Sequence, residues 1–274
     1  MASSFYVHLM TKNVWLLVGN IAALAGILGV NLVDAFKQER GWISFALVAG
    51  ALAFIVYRAY KVSTALLDKQ YPKGYVPVAT YVRMATTDGS RYVYELFRHI
   101  QIKEPCKTSF QHDFQWSGSK DPKVTAHFHT CGPVFEAVTD DGRDTSRVNI
   151  KFARPRVYNE PEIVHLTMDI DDSDDVSQPF LAQKVDQPIQ LLNFRIELLH
   201  ATNGYHQSKA TVSRKRLDDN RAEFEEFDQA TFHPLTRSYT YHMLNPEPGF
   251  AYKIHWEKPR SRKPKEKAKP AYRA

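Results

Sequence analysis

Cysteine is nearly absent: among 274 residues only Cys106 and Cys131 occur, with 24 residues between them and in unlike contexts. That excludes a disulfide framework and suits a reducing compartment. Also missing are the G-x-S-x-G, P-loop, G-x-G-x-x-G and H-E-x-x-H patterns, and no serine or cysteine stands in a context that would activate it as a nucleophile. Catalysis is not expected and no cofactor is implied, although carboxylates paired only by folding would leave no such mark. Excess charge is lacking over most of the chain. Of 36 basic and 30 acidic residues, 8 and 2 lie from Glu257 onward, which leaves 28 of each elsewhere. The net charge of +6 therefore belongs to the last eighteen residues, which argues against a basic DNA-binding face. The tail over 258–274 reads as a solvated, disordered end or as a segment drawn to anionic lipid, worth about 1 kcal/mol per basic residue near a membrane surface.

What the chain does have is apolar sequence near its start. Val14 to Val33 is an uncharged run of twenty residues interrupted only by Asn20 and Asn31. At 1.5 Å per residue such a run covers about 30 Å, the hydrocarbon thickness. A second run of sixteen, Trp42 to Tyr57, can span if Arg58 and Lys61 reach back to the headgroups. Trp15, Trp42, Tyr57 and Tyr60 fall near the run ends, where amphipathic rings favour the interface. The alternative is a single anchor followed by an interfacial helix. Eight residues, Asp34 to Gly41, link the runs, so two spans would form a tight antiparallel hairpin. Small residues at four-residue spacing, such as Gly19/Ala23 and Ala46/Gly50, would let helices pack closely. Lys12, Arg58, Lys61, Lys69 and Lys73 outnumber Lys37 and Arg40, which places both termini in the cytoplasm of a multi-pass inner or plasma membrane protein.

Tyr71-Pro72-Lys73-Gly74 breaks any helical continuation. Beyond it come about a dozen short runs rich in β-branched and aromatic residues, among them RYVYELFRHIQI, RVNIKFA, IVHLTMDI and FAYKIHW, separated by turn signals such as DGS at Asp88 and NPEPG at Asn245. Strict alternation, as in Val148-Ile150-Phe152 against Asn149-Lys151, marks strands with one wet face. The expectation is an antiparallel sandwich, a barrel, or two such units in series. The one long interruption, Asp171 to Pro188, reads as a loop that could divide the region near 171–187. The bounds that follow are 1–70 for a transmembrane hairpin, 71–257 for a β-rich domain and 258–274 for the tail.

Few residues stand out chemically. Arg154-Pro155-Arg156 followed by Tyr158 offers bidentate phosphate donors beside an aromatic platform, and Arg98, Arg195 and Arg91 also have aromatic neighbours. His127, His129 and Cys131 would share one face of a strand and are zinc-ligand types, with His112 a fourth candidate, yet Gly132-Pro133 ends the run and solvent-facing histidines are the simpler reading. Asp169, Asp171, Asp172, Asp174 and Asp175 form an acidic cluster without the EF-hand glycine or closing glutamate; it reads as a solvated loop that could meet the basic tail.

In layout, the tight hairpin Val14 to Tyr57 and the β-rich module from about Val76 to Trp256 resemble the two-helix, β-strand-rich membrane effectors of bacterial cyclic-oligonucleotide (CBASS-type) anti-phage systems. That resemblance implies a cytoplasmic β-barrel that binds a cyclic nucleotide, multimerises and lets the helices disrupt the inner membrane. No binding residue carries over from it, and the β region is long for a single eight-stranded barrel. The expected function is a membrane-anchored sensor and effector with a nucleotide-type ligand; the alternative is a membrane-anchored scaffold that recruits a protein partner.

Overall fold

The computed structural model describes residues 41–138, 144–202, 205–219 and 221–259. Two units emerge, Met1–Leu66 and Leu67–Ala274. The expected first span, Val14 to Val33, lies outside the described residues, as do Trp15 and the tail beyond Pro259. The second apolar run falls within a helix, α1, Gly41–Gln70. Among the described residues no helix is long and apolar enough to cross a membrane, so the transmembrane hairpin and the multi-pass membrane placement built on it are not borne out. The physical reason is length: the apolar part of α1 stops at sixteen residues, short of the roughly 20 needed, and Arg58, Lys61, Asp68 and Lys69 follow it. Tyr57 is exposed with the Lys61 ammonium 5.9 Å from its ring centroid, and Arg58 is exposed as well. The helix stops where Tyr71 N donates to Leu67 O and Gly74 takes a left-handed φ of 69°.

The unit from Leu67 is built of β-strands. In chain order they are β1 (Tyr75–Thr86), β2 (Arg91–Ile102), β3 (Cys106–Phe114), β4 (Lys123–His127), β5 (Thr130–Val138), β6 (Asp144–Val157) and β7 (Pro161–Asp171). The remainder are β8 (Phe180–Val185), β9 (Leu191–Leu198), β10 (Lys209–Arg216), β11 (Glu225–Thr231), β12 (Ser238–Leu244) and β13 (Phe250–His255). Most follow the alternating runs of the sequence. The exception is β8: Pro179-Phe180-Leu181 opens a strand inside the segment expected to be one long loop, and its Leu181 and Val185 are buried.

Three sheets result. A six-stranded sheet runs β12-β9-β1-β2-β7-β4; a four-stranded sheet runs β11-β10-β13-β8; a three-stranded sheet runs β3-β6-β5. Pairing is antiparallel except between β1 and β9, which run parallel with Ala79 opposite Leu191 and Thr86 opposite Leu198. This corrects the all-antiparallel expectation. It also joins strands from both sides of the 171–187 segment in one sheet. The inner face of that sheet carries Val82, Leu96, Leu166, Phe194 and Ile196, all fully buried, and Phe110, Ile150, Val212 and Ile254 of the smaller sheets belong to the same core cluster.

Lys258, the first tail residue, is fixed to the acidic segment. Its ammonium donates to Asp172 Oδ2 at 2.9 Å and to Asp175 Oδ1 at 2.6 Å. Asp172 is 2% exposed and also accepts from Ser177 N (2.8 Å) and Ser177 Oγ (2.5 Å). Burial pushes the Asp172 carboxyl up, but the bonds from Ser177 and Lys258 outweigh it and hold the pKa below the ordinary value. A carboxylate depressed on folding contributes stability above its unfolded pKa of about 3.9, and that contribution is lost as pH falls through the lower folded value. Asp172→Ala should cost about 1.5–3 kcal/mol at pH 7, the range for hydrogen bonds to charged groups. The penalty should shrink in urea unfolding as pH falls below the ordinary carboxylate range; a pH-independent penalty would contradict the assignment.

Candidate functional site

The six-stranded sheet has an inner face that makes the core and an outer face that no described strand covers. Register fixes what stands on that outer face. His242, Asn193, Tyr81, Phe97, His165 and His127 lie side by side across β12, β9, β1, β2, β7 and β4, one from each strand. Rings on adjacent strands are about 4.8 Å apart, a spacing that suits stacking. Phe97 and His165 stack with centroids 3.8 Å apart and planes 18° apart; His165 and His127 stack at 4.1 Å and 18°. Tyr81 leans on Phe97 at 6.1 Å. The His127 imidazole is also within 3.1 Å of Thr167 Oγ1.

The next row along the strands is charged. Arg83 donates to Glu95 (3.1 Å) and Glu197 (2.6 Å), and His165 Nε2 lies 2.9 Å from Glu95 Oε1. The bond to Glu197 raises the Arg83 pKa further above its usual value, and the same bond lowers Glu197. His165 titrates below the ordinary imidazole value because burial outweighs the Glu95 bond, so it is neutral at pH 7. Arg195 Nε is 2.7 Å from Glu197 Oε1 but is not aligned as a hydrogen-bond donor. Ile163, Val93 and Leu244 are exposed on the same face.

The stack ends at a strained corner. Phe128 joins β4 of the large sheet to β5 of the small one with a φ of 64°, and its side chain is 81% exposed, 6.3 Å from the His165 ring. The turn alone would favour glycine or asparagine, because a bulky residue at positive φ costs about 1–2 kcal/mol. The same corner explains why His127, His129 and Cys131 do not share a face. His127 joins the outer stack, His129 Nε2 sits 3.2 Å from Ile163 O, and Cys131 belongs to β5. Among the described residues no group of three or more histidines, cysteines or carboxylates is placed to hold a metal.

The remaining sequence candidates part company. Arg154 and Arg156 lie at the end of β6, where Glu160 pairs with both and Glu162 with Arg156. Neither guanidinium is left without a carboxylate. Tyr158, beside them, takes the Lys103 ammonium at 5.5 Å.

Arg98 is different. The even-numbered residues of β2 point inward, so Arg98 stands between buried Leu96 and Ile100 and opposite buried Thr80 and Val164. It lies 5.8 Å from the Phe110 ring centroid and its Nε is buried without a partner. His112 of β3, 5% exposed, has an unpartnered Nε2; burial first, then the Arg98 charge, depress its pKa to about 3. Burial pushes the Tyr94 phenol up to about 12, partly offset by Arg98. An uncompensated buried donor costs about 1–3 kcal/mol, and a buried ion more. The rings of Phe97, His165 and Tyr81 went unnoticed in the sequence because only cross-strand register brings them together. The inward parity of Arg98 was readable from RYVYELFRHIQI.

No protein-family model matches this sequence, and comparison with curated proteins finds no match. Among solved structures the chain is similar to an M1 zinc metallopeptidase from Deinococcus radiodurans, with a TM-score of 0.35 and 8% identity over 67% of this chain and 42% of that one. A two-domain M1 zinc metallopeptidase bound to L-arginine gives a TM-score of 0.33 and 9% identity over 66% and 42% of the two chains. This chain spans about 42% of their length. A likeness so distant carries neither fold nor activity across.

Phe128→Gly should leave thermal stability unchanged or raise it by about 1 kcal/mol, since the turn loses its strain and the ring gives up little burial. A loss above about 1 kcal/mol in chemical denaturation would mean that the ring holds the corner together.

Proposed function

We propose that the β unit is a non-catalytic binding module and that the outer face of its six-stranded sheet stacks the planar base of a nucleotide-type ligand. The observation that carries this reading is the column of three near-parallel rings, Phe97, His165 and His127, ending beside the exposed and strained Phe128. Because Phe97, His165 and His127 stack on one another, the faces left for a base are those at the end of the column, the outer face of His127 on the edge strand and the exposed Phe128 ring, and stacking contributes about 1–3 kcal/mol per base. Arg195, with one loosely aligned carboxylate, supplies a guanidinium in the adjoining row for a phosphate. Glu95, Thr167 and Thr125 supply polar groups for a base edge.

A second reading, a surface that recruits a protein partner, is favoured by the exposed Ile163, Val93 and Leu244. The two separate under titration of the full chain with adenosine, mononucleotides and cyclic dinucleotides. The nucleotide reading expects saturable binding by calorimetry that falls about fivefold to a hundredfold in His127→Ala and in Phe128→Gly. If no member of that series binds, or if both variants bind as the parent does, the platform reading fails.

A further inference from the structure

The layer opposite the six-stranded sheet is divided. β3 is the edge of the three-stranded sheet and β8 the edge of the four-stranded one, and no ladder joins them. Their ends are nonetheless tied. Gln178 N, just before β8, donates to Ser117 Oγ, just after β3, at 3.1 Å. At the other end Lys73 pairs with Asp186 while Lys107 Nζ donates to the Lys73 carbonyl at 3.0 Å. The two edges thus flank a seam whose floor is the inner face of β1 and β2.

That seam gathers donors. Arg98 Nε, His112 Nε2 and the indole N–H groups of Trp116 and Trp256 are four of the buried polar atoms without a protein partner. Trp256 is 1% exposed, and with Trp116, Tyr92 and Lys258 it lines a cavity of about 10 Å³ at one end of the seam, room for about one water. There Lys258 is already matched by Asp172 and Asp175. Toward the other end the balance changes. Arg98 has no ion pair with any described carboxylate, and its Nε is buried without a partner. Asp113, on the outward side of β3, is taken by Arg147 through bonds of 2.5 and 2.9 Å.

We propose that the seam between β3 and β8 is a binding site for an oxyanion, a phosphate or carboxylate group, held by the Arg98 guanidinium with the unpartnered Nε2 of His112 beside it. The guanidinium offers a planar fork matched to two oxygens of such a group. Positive charge with no acid beside it selects an anion, and the imidazole adds a contact without repelling it. The site lies on the opposite face of the sheet from the ring column and stands or falls independently of the nucleotide reading.

The test uses the full chain at constant ionic strength with inorganic phosphate, acetate or chloride. Either oxyanion should raise the melting temperature saturably where chloride does not, and which of the two acts tells phosphate from carboxylate. In Arg98→Met that gain should vanish, while the melting temperature in chloride should stay level or rise because an unpaired cation has left the interior. Arg98→Lys keeps the charge but not the fork, and should bind the oxyanion at least tenfold more weakly. In the parent, oxyanion binding should move the His112 imidazole titration upward by NMR, since a bound negative charge favours the protonated ring. The His127→Ala variant should respond like the parent. The proposal is overturned if phosphate and acetate behave as chloride does, or if Arg98→Met loses stability in chloride while its response to oxyanion persists.

Discussion

The parallel pairing of β9 with β1 governs the rest of the architecture. Without it the chain would hold a sheet of β1, β2, β7 and β4 and a separate pair of β9 and β12; with it, six strands share one sheet. A twisted sheet of that width needs a broad second layer to cover its apolar inner face. The remaining strands supply that layer as two sheets of four and three, and where two covers meet over one floor a seam follows. The same width lines up one side chain per strand on the outer face, which is what turns scattered rings into a column.

Parallel pairing also accounts for the long connection between its partners. Strands that run the same way cannot be joined by a tight turn, and the chain from β1 to β9 passes through seven other strands before it returns. The segment Asp171 to Pro188 is part of that return. Its aspartates are spent in holding it: Asp171 binds Lys120, Asp172 and Asp175 bind Lys258, and Asp174 binds Ser119. A cluster that reads in sequence as a solvated loop is a set of anchors for neighbouring basic and hydroxyl groups.

The strands with clean alternation were legible one by one: RYVYELFRHIQI is β2 from its first residue to its last, and IVHLTMDI lies within β7. Period-2 patterning reports which face of a strand is wet, and that is a local property. It says nothing about which strand lies alongside, so the β1–β9 pairing, and with it the Phe97–His165–His127 column, could not be read from the chain. The β8 strand was hidden because acidic and turn residues dominate its surroundings, while the six residues that form it bury only Leu181 and Val185. The apolar run from Trp42 to Tyr57 misled differently. Spanning rested on Arg58 and Lys61 reaching back to the headgroups to make up for the short run, and no helix among the described residues is long and apolar enough to cross a bilayer. Meeting of the tail with the acidic segment was foreseen and has a definite anchor in Lys258.

Two residues break local rules, and they do so for different reasons. Phe128 takes a backbone conformation that favours glycine and leaves its ring in water, so it forfeits both conformational and hydrophobic energy. Arg98 places a cation on the inward face of a central strand where Leu or Val would pack without penalty. In each case the fold has a cheaper residue available at no cost to its topology: glycine would make the corner, and an aliphatic side chain would fill the seam. Corner strain cannot account for a ring that points away from the protein, and core packing cannot account for an unpaired guanidinium. What the two positions share is chemistry suited to a ligand, a free π-face in one and a free donor fork in the other, set on opposite faces of the same sheet.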